Sequence, residues 1–255
     1  MLGASFADYL RTVKVRTVAI GYDARLSSPR LRDAMSRGLN ASGLDVMDIG
    51  LCPTPALYFA LHHLEPGAGI MITGSHNPAE FNGFKLCVGK TTIYGDEIQK
   101  LRAIMEKLQS GGTIRKEKTE KGKILFHPII PDYAGHLKGL FRDLPDIPLK
   151  VVLDSGNGTA GLAAPDILRT MGCEVIDLFS DPDGRFPNHH PDPTVPKNLD
   201  ALISRLKKEH ADLGIAFDGD STIYLLKGGT YEFWAYQVGA DAWVRKKDIR
   251  DSQYN

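Results

Sequence analysis

Three stretches of the chain carry side chains whose types and spacing suit the transfer of a phosphoryl group. Gly69 to Pro78 reads GIMITGSHNP: an apolar run stops at Gly74, and Ser75, His76, Asn77 and Pro78 turn the backbone sharply. Phe81-Asn82-Gly83-Phe84-Lys85 follows at once, so a hydroxyl, an imidazole and an ammonium share one tight loop at a strand end. Arg25 closes an earlier strand in the turn Asp23-Ala24-Arg25. Asp218-Gly219-Asp220 ends a later one, and two carboxylates parted by a flexible glycine can point at one hard cation such as Mg²⁺. A serine hydroxyl can act as nucleophile or phosphate carrier, and fixed cations neutralise the transferring group. In α/β sheets, ligands bind outside the carboxyl ends of strands, where all of these residues fall.

Each signal alone also has a plainer explanation. Ser, Asn, Gly and Pro dominate turns for backbone reasons, so an isolated S-x-N-P is a turn. D-G-D alone is a solvated turn as readily as a metal loop. Ser155 to Gly161 (SGNGTAG) contains G-x-G-x-x-G between a strand and a helix, with Asp177 about 20 residues further on, which mimics a dinucleotide fingerprint. Glycines at such a turn also serve tight packing, and that reading is preferred. His189 and His190 lie in the proline-rich loop Asp183 to Pro193; without cysteines or a paired H-x₃-H they read as loop-packing residues rather than metal ligands. His62, His63, His127, His136 and His210 belong to no constellation.

The elements that must position these loops follow from hydrophobic periodicity. Helix is predicted from Leu2 to Arg11, strand from Val15 to Tyr22, and helix from the Ser28-Pro29 start to about Leu39. A strand over Leu44 to Ile49, a helix over Thr54 to Leu64 and a strand over Ala68 to Thr73 come next, then a helix over Gly95 to Leu108. The polar segment Gly111 to Gly122 reads as a linker or surface hairpin, and Pro131 to Phe141 as a helix. The pattern then repeats: strand Leu149 to Asp154, helix to Met171, strand Cys173 to Leu178, helix Asn198 to His210, strand Asp212 to Phe217. Two β-α-β units in series predict a duplicated α/β plan with mostly parallel, helix-covered sheets. Beyond Asp220 a hairpin turning at Gly228-Gly229 is predicted, and the last stretch from Ala240 is weakly patterned.

The whole-chain figures agree with a two-domain globular protein. The chain has 255 residues, which suits two domains of about 100–150 residues. It is 42% hydrophobic and 24% charged with a formal net charge of zero, which argues against a nucleic-acid binder driven by a global basic field. Cys52, Cys87 and Cys173 are isolated and flanked by apolar residues, so buried thiols and a cytoplasmic setting are expected. No apolar run reaches the roughly 20 residues of a membrane span, and the N-terminal residues show no signal pattern.

Taken together, the loops resemble the α-D-phosphohexomutase family, in particular its phosphomannomutase/phosphoglucomutase branch. The resemblance rests on GYDARLSSPRL (Gly21 to Leu31), GIMITGSHNPAEFNGFKL (Gly69 to Leu86), VVLDSGNGTAG (Val151 to Gly161), DGRFPNHHPDPTVPKNL (Asp183 to Leu199) and DLGIAFDGD (Asp212 to Asp220), in the family's order and spacing. T-G-S-H-N-P with F-N-G-F-K looks more like the mannose/glucose branch than the glucosamine branch. The resemblance implies two tandem three-layer α/β/α domains with mixed, mostly parallel sheets. Domain I is expected over residues 1–128 without its first strand, and domain II over 129–255.

For function, the resemblance implies an isomerase: an Mg²⁺-dependent intramolecular phosphotransferase interconverting hexose 6-phosphate and hexose 1-phosphate, of mannose, glucose or both. Ser75 matches the serine that carries the phosphoryl group between substrate and a bisphosphate intermediate. Asp218 and Asp220 match metal ligands, with Ser75 supplying another oxygen. His76 and Lys85 match residues credited with acid/base and phosphate-neutralising roles, and Arg25 an active-site arginine. Glucose or mannose 1,6-bisphosphate is the implied activator; hexose phosphates are the implied partners, with no nucleic acid and no membrane.

The chain departs from the family pattern in one loop and in extent. The family's metal loop reads D-G-D-x-D-R, whereas here Asp218-Gly219-Asp220 is followed by Ser221-Thr222-Ile223, so the third aspartate is replaced. Glu232 to Val238 still resembles the family's following segment, so the tail reads as a family sequence altered by small insertions, deletions or a change of frame. The family's third and fourth domains have no counterpart in these residues. An incomplete form of weak or no activity is therefore expected. A non-catalytic remnant or binding module that keeps the fold is the alternative, and a nucleotide-binding α/β protein is a third.

Overall fold

A computed structural model describes residues 1–112, 121–143 and 145–221, and the backbone of residues 223–227, 233–237 and 242–246. Its residues fall into two compact units. The first comprises Met1–Thr73 and Asn82–Ile129; the second comprises Gly74–Phe81 and everything from Ile130 onward. The serine loop, although it follows a strand of the first unit, packs as part of the second.

The first unit contains α1 (Leu2–Arg11), β1 (Thr17–Tyr22), α2 (Ser28–Ala41), β2 (Asp45–Leu51), α3 (Thr54–His63), β3 (Gly67–Ile72), β4 (Phe84–Val88), β5 (Thr91–Thr92), α4 (Asp96–Gln109) and β6 (Ile124–Phe126). The sheet order is β5-β4-β3-β1-β2-β6. β1 pairs in parallel with β2 and β3, and β2 with β6, while β4 and β5 add antiparallel to one side. Strand alternation sorts the core into two layers. Val18, Ile20, Ala68, Ile70 and Ile72 face Phe6, Leu10, Met35, Leu39 and Leu101 of α1, α2 and α4. On the other face Gly69 lies against Leu57 and Leu61 of α3, and Gly21 against Cys52. Full burial of a side chain such as Leu39 is worth about 1.5–3 kcal/mol.

The second unit contains α5 (Ile130–Leu140), β7 (Lys150–Asp154), α6 (Ala164–Thr170), β8 (Glu174–Leu178), α7 (Asp200–Lys208), β9 (Leu213–Phe217), β10 (Ile223–Lys227), β11 (Phe233–Gln237) and β12 (Ala242–Lys246). The order β12-β11-β10-β9-β7-β8 has a parallel centre, β8-β7-β9, extended by antiparallel strands. Val152 and Ala216 face Leu199, Leu202 and Leu206, on and just before α7; Val151, Leu153, Ile215 and Phe217 face Ala160, Ala164 and Leu168, on and before α6. This is again helix, sheet, helix. β8 and β9 flank β7 on opposite sides, so the loops after these strands open at a switch point, where ligands bind in such sheets.

The expected helices and long strands form within a few residues of the sequence reading, with informative differences. The helix expected to run on to Met171 is split into a 3₁₀ turn, Ala160–Leu162, and α6, because the glycine-rich stretch resists continuous helix and Pro165 starts a new one. α7 is likewise preceded by a 3₁₀ turn, Pro196–Leu199. β5 and β6 are too short to show a period. β12 falls in the stretch that reads as weakly patterned, and pairs antiparallel with β11. The strands of the tail hairpin form as expected; its Gly228-Gly229 turn lies outside the described residues, as does most of the polar 111–122 segment. All three cysteines are buried thiols. Among the described residues no helix is long and apolar enough to cross a membrane.

Candidate active site

Ser75 meets the two aspartates within the second unit. Its Oγ lies 2.8 Å from Asp218 Oδ2 and 2.9 Å from Asp220 Oδ1. Both aspartates are buried, at 3% and 2% exposure, whereas Ser75 is only half-buried. The local backbone makes this possible. Ser75 sits at φ +50°, a left-handed conformation costing a non-glycine residue about 1–3 kcal/mol, and the turn is closed by Asn77 N–H donating to the Gly74 carbonyl at 2.8 Å. Asp218 and Asp220 follow β9, where Ser221 N–H donates back to the Asp218 carbonyl at 3.0 Å.

The glycine-rich loop after β7 supports this metal-type loop instead of a dinucleotide. Buried Thr159 donates its hydroxyl to the Gly219 carbonyl at 3.3 Å, and Gly158 lies so close to Gly219 that an added Cβ would stand 3.1 Å from its oxygen. A Cβ at Gly161 would collide with the Ser180 backbone, and Gly156, at φ +52°, is covered by Pro191. Packing therefore accounts for every glycine of the G-x-G-x-x-G string. Asp177, the residue a ribose would require, is ion-paired with Arg169.

His189 and His190 pack as loop residues, but with defined partners. His189 Nε2 lies 2.9 Å and 3.0 Å from the two carboxylate oxygens of Asp154, the last residue of β7. Its Nδ1 lies 2.9 Å from the His190 carbonyl. A carbonyl can only accept, so Nδ1 carries a proton; a carboxylate opposite Nε2 then favours a second one. Burial lowers the His189 pKa, yet the hydrogen bond and charge of Asp154 outweigh it and the pKa is raised overall. His190 Nε2 donates to the main-chain carbonyl of His76 at 2.7 Å. The His76 side chain itself is exposed.

Arg25 and Lys85 belong to the first unit. Arg25 is wholly buried: its Nε donates to Asp23 Oδ2 at 3.0 Å, and its backbone N–H to Asp23 Oδ1 at 3.1 Å. Ser28 Oγ donates to the same carboxylate at 2.6 Å, and Asn82 Nδ2 donates to Ser28 Oγ at 2.8 Å. Lys85 is half-buried on β4 opposite Met71 of β3. Asp23, Asn82, Asp154, Thr159 and the histidine pair are the structural partners that the sequence reading did not assign. All of them lie inside the motifs quoted for the family, which was the available signal.

Ser75, Asp218 and Asp220 present hard oxygen donors and two negative charges, a set that fits a small divalent cation. Among the described residues no group of three or more His, Cys, Asp and Glu side chains is placed to hold a metal, and Thr222, at the position of the family's third aspartate, lies outside them.

Comparison with known proteins assigns the lineage. Residues 1–111 match the phosphoglucomutase/phosphomannomutase alpha/beta/alpha domain I, and residues 131–222 match domain II. The chain belongs to the phosphoglucomutase/phosphomannomutase family. It is 42% identical over 221 residues to a phosphoglucomutase of Neisseria meningitidis, covering 87% of this chain and 46% of that protein. It is 45% identical over 203 residues to a phosphomannomutase/phosphoglucomutase of Pseudomonas aeruginosa, covering 80% and 42% respectively. A crystal structure of a phosphoglucomutase/phosphomannomutase family protein from Burkholderia thailandensis superposes with a TM-score of 0.79 at 38% identity, over 89% of this chain and 50% of that one. The chain thus spans less than half the length of these two curated relatives. Its α/β architecture, with mixed sheets layered by helices, is that of the family.

Proposed function

We propose that this chain carries the phosphoserine site of a hexose-phosphate mutase, interconverting hexose 6-phosphate and hexose 1-phosphate of mannose, glucose or both. The observation that carries the reading is the meeting of Ser75 Oγ with Asp218 and Asp220 at 2.8 and 2.9 Å. The names of the relatives, phosphoglucomutase and phosphomannomutase, support the substrate class.

In this reading Ser75 Oγ attacks one phosphorus of a hexose 1,6-bisphosphate. The P–Oγ bond forms, the ester P–O bond breaks, and the hydroxyl proton ends on the released sugar oxygen. The reverse transfer, from phosphorylated Ser75 to the free hydroxyl of a hexose monophosphate, forms the sugar O–P bond as the P–Oγ bond breaks and gives the bisphosphate. The bisphosphate turns over and returns its other phosphate to Ser75, which completes the isomerisation, and free glucose or mannose 1,6-bisphosphate primes the serine. The left-handed Ser75 backbone holds Oγ at the carboxylates, so little reorientation is required at the moment of transfer. Ser75, Asp218 and Asp220 would hold Mg²⁺, which offsets charge on the transferring group. His76 is proposed as the acid/base group, and Lys85 and Arg25 as phosphate-neutralising cations, on the strength of the motifs. The buried thiols suit a cytoplasmic setting.

Intact-protein mass spectrometry after incubation with glucose 1,6-bisphosphate and Mg²⁺ tests this. A gain of one phosphoryl group that Ser75→Ala abolishes is the expected result. Folded protein that gains none would leave a second reading, a non-catalytic module retaining the fold. Thr222, where the family's loop has an aspartate, favours that second reading.

A further inference from the structure

We propose that His190 is a positioning residue for Ser75, clasping the serine loop through the His76 carbonyl from a platform built on β7. The clasp spans 114 positions of sequence and is the bond of 2.7 Å from His190 Nε2 to His76 O. The loop it holds needs holding: Ser75 carries a positive φ, and such a conformation persists only where its surroundings over-determine it. Within the loop the turns are closed by Asn77 N–H to Gly74 O and Phe81 N–H to Pro78 O. From outside, the peptide between His76 and Asn77 is gripped by His190.

The donor is itself fixed. The His190 carbonyl accepts from Asp192 N–H at 2.8 Å and from His189 Nδ1 at 2.9 Å, which immobilises its peptide. His189 is anchored by Asp154, and its ring meets Phe179 edge-on at 5.3 Å. Asn188 Nδ2 donates to Asn157 Oδ1 at 2.7 Å, tying the middle of the loop to the glycine-rich turn. A continuous chain of contacts, Asp154 to His189 to His190 to His76, therefore runs from the end of a central strand to the residue beside Ser75. Because a carbonyl only accepts, Nε2 must carry its proton, which both the neutral Nε2–H tautomer and the imidazolium provide. Glutamine at 190 offers an amide N–H of similar reach; alanine offers nothing.

The structural claim stands by itself, and its catalytic consequence rests on the proposed function. The test uses the whole 255-residue chain with His190→Ala and His190→Gln. Amide hydrogen exchange should quicken roughly three- to tenfold across residues 74–81 in His190→Ala, the scale of one lost hydrogen bond, with the strands of the second unit unchanged. His190→Gln should restore slow exchange. Phosphoryl uptake by Ser75 from glucose 1,6-bisphosphate should fall by a similar factor at saturating donor, with the half-saturating concentration unchanged, and recover in His190→Gln. Wild-type exchange in His190→Ala, or no recovery in His190→Gln, overturns the clasp. If the unmodified chain takes up no phosphate while the exchange pattern holds, the clasp stands and the proposed function falls.

Discussion

Ser75 Oγ lies 2.8 Å from Asp218 Oδ2 across 143 positions of sequence, and Asp220 Oδ1 reaches the same hydroxyl at 2.9 Å. One hydroxyl proton is shared between two carboxylates, and in the proposed function Mg²⁺ would be held by the same oxygens. Mg²⁺ at 100 times its dissociation constant should stabilise the fold by about 2.7 kcal/mol. Asp220→Asn should abolish most of that shift, because the site loses a charged oxygen donor. Thermal unfolding with Mg²⁺ and with EDTA measures both. An equal Mg²⁺ shift in wild type and variant would remove the carboxylates from the site.

Gly219 stands where no side chain fits. A Cβ there would lie 2.6 Å from the Ser75 carbonyl oxygen, and a backbone oxygen cannot swing aside as a flexible side chain can. Gly219→Ala should therefore displace the serine loop and cost about 1–3 kcal/mol, the scale of overpacking. Gly135 on α5 is the contrast, since a Cβ there meets nothing within 4 Å. Gly135→Ala should stabilise by about 0.5–1 kcal/mol through helix propensity. Urea unfolding of both variants distinguishes the two, and the same sign for both would contradict the packing account.

What could be read from residues alone was what is local. The strand runs, the turn at Ser75 and the aspartates at Asp218 and Asp220 each show within a few positions, because period, turn chemistry and charge are local properties. The tie from Asp154 to His189 spans 35 positions, and that from His190 to His76 spans 114. Nothing about a histidine in a proline-rich loop announces a partner so distant. The packing reading of the G-x-G-x-x-G string holds, but the partners of its glycines, Gly219, Ser180 and Pro191, adjoin it only in space. β12 was hidden because a five-residue strand at a sheet edge carries too short a pattern to separate from coil.

His189 gives the stability a pH dependence of definite sign. Its pKa is raised in the fold: burial lowers it, but Asp154 prevails. The groups facing it are the Asp154 carboxylate from β7, the His190 carbonyl and the Phe179 ring. A raised histidine contributes stability that is fully present below the unfolded value of about 6.5 and is lost as pH rises through the folded value. Stability attributable to the pair should thus decline from near pH 6.5 upward. Asp154→Asn should flatten that decline, as read by urea titrations at successive pH values. A decline equally steep in the variant would assign it to other groups.

Cys52 should be chemically silent in the native state. Burial, only partly offset by a hydrogen bond involving the Tyr22 backbone, pushes its thiol pKa up to about 12. The thiolate is the reactive form, so it is scarcely populated at pH 8. Cys87 and Cys173 are also buried and have raised values, again chiefly through desolvation. Alkylation at pH 8 followed by mass spectrometry should show slow labelling of native protein and three rapid additions in denaturant. Rapid labelling of Cys52 in folded protein would overturn the burial argument.

Arg25 and Asp23 form an ion pair buried to 0% and 2% side-chain exposure, with Nε 3.0 Å from Oδ2. In such a place each charge depends on the other, since the cost of drying either is several kcal/mol. Asp23 also accepts from the Arg25 backbone and from Ser28, so it organises the turn as well as the guanidinium. Asp23→Ala should accordingly cost about 3–5 kcal/mol, the range for breaking a buried pair by removing one partner. Asp23→Asn keeps a carbonyl acceptor and should cost less. The double variant Asp23→Leu with Arg25→Met removes both charges and should be less destabilised than the sum of its single variants. Denaturant unfolding of the unmodified chain, Asp23→Leu, Arg25→Met and the double variant forms the cycle. Additive single and double effects would mean that the pair is not coupled, and that Arg25 is held chiefly by other partners.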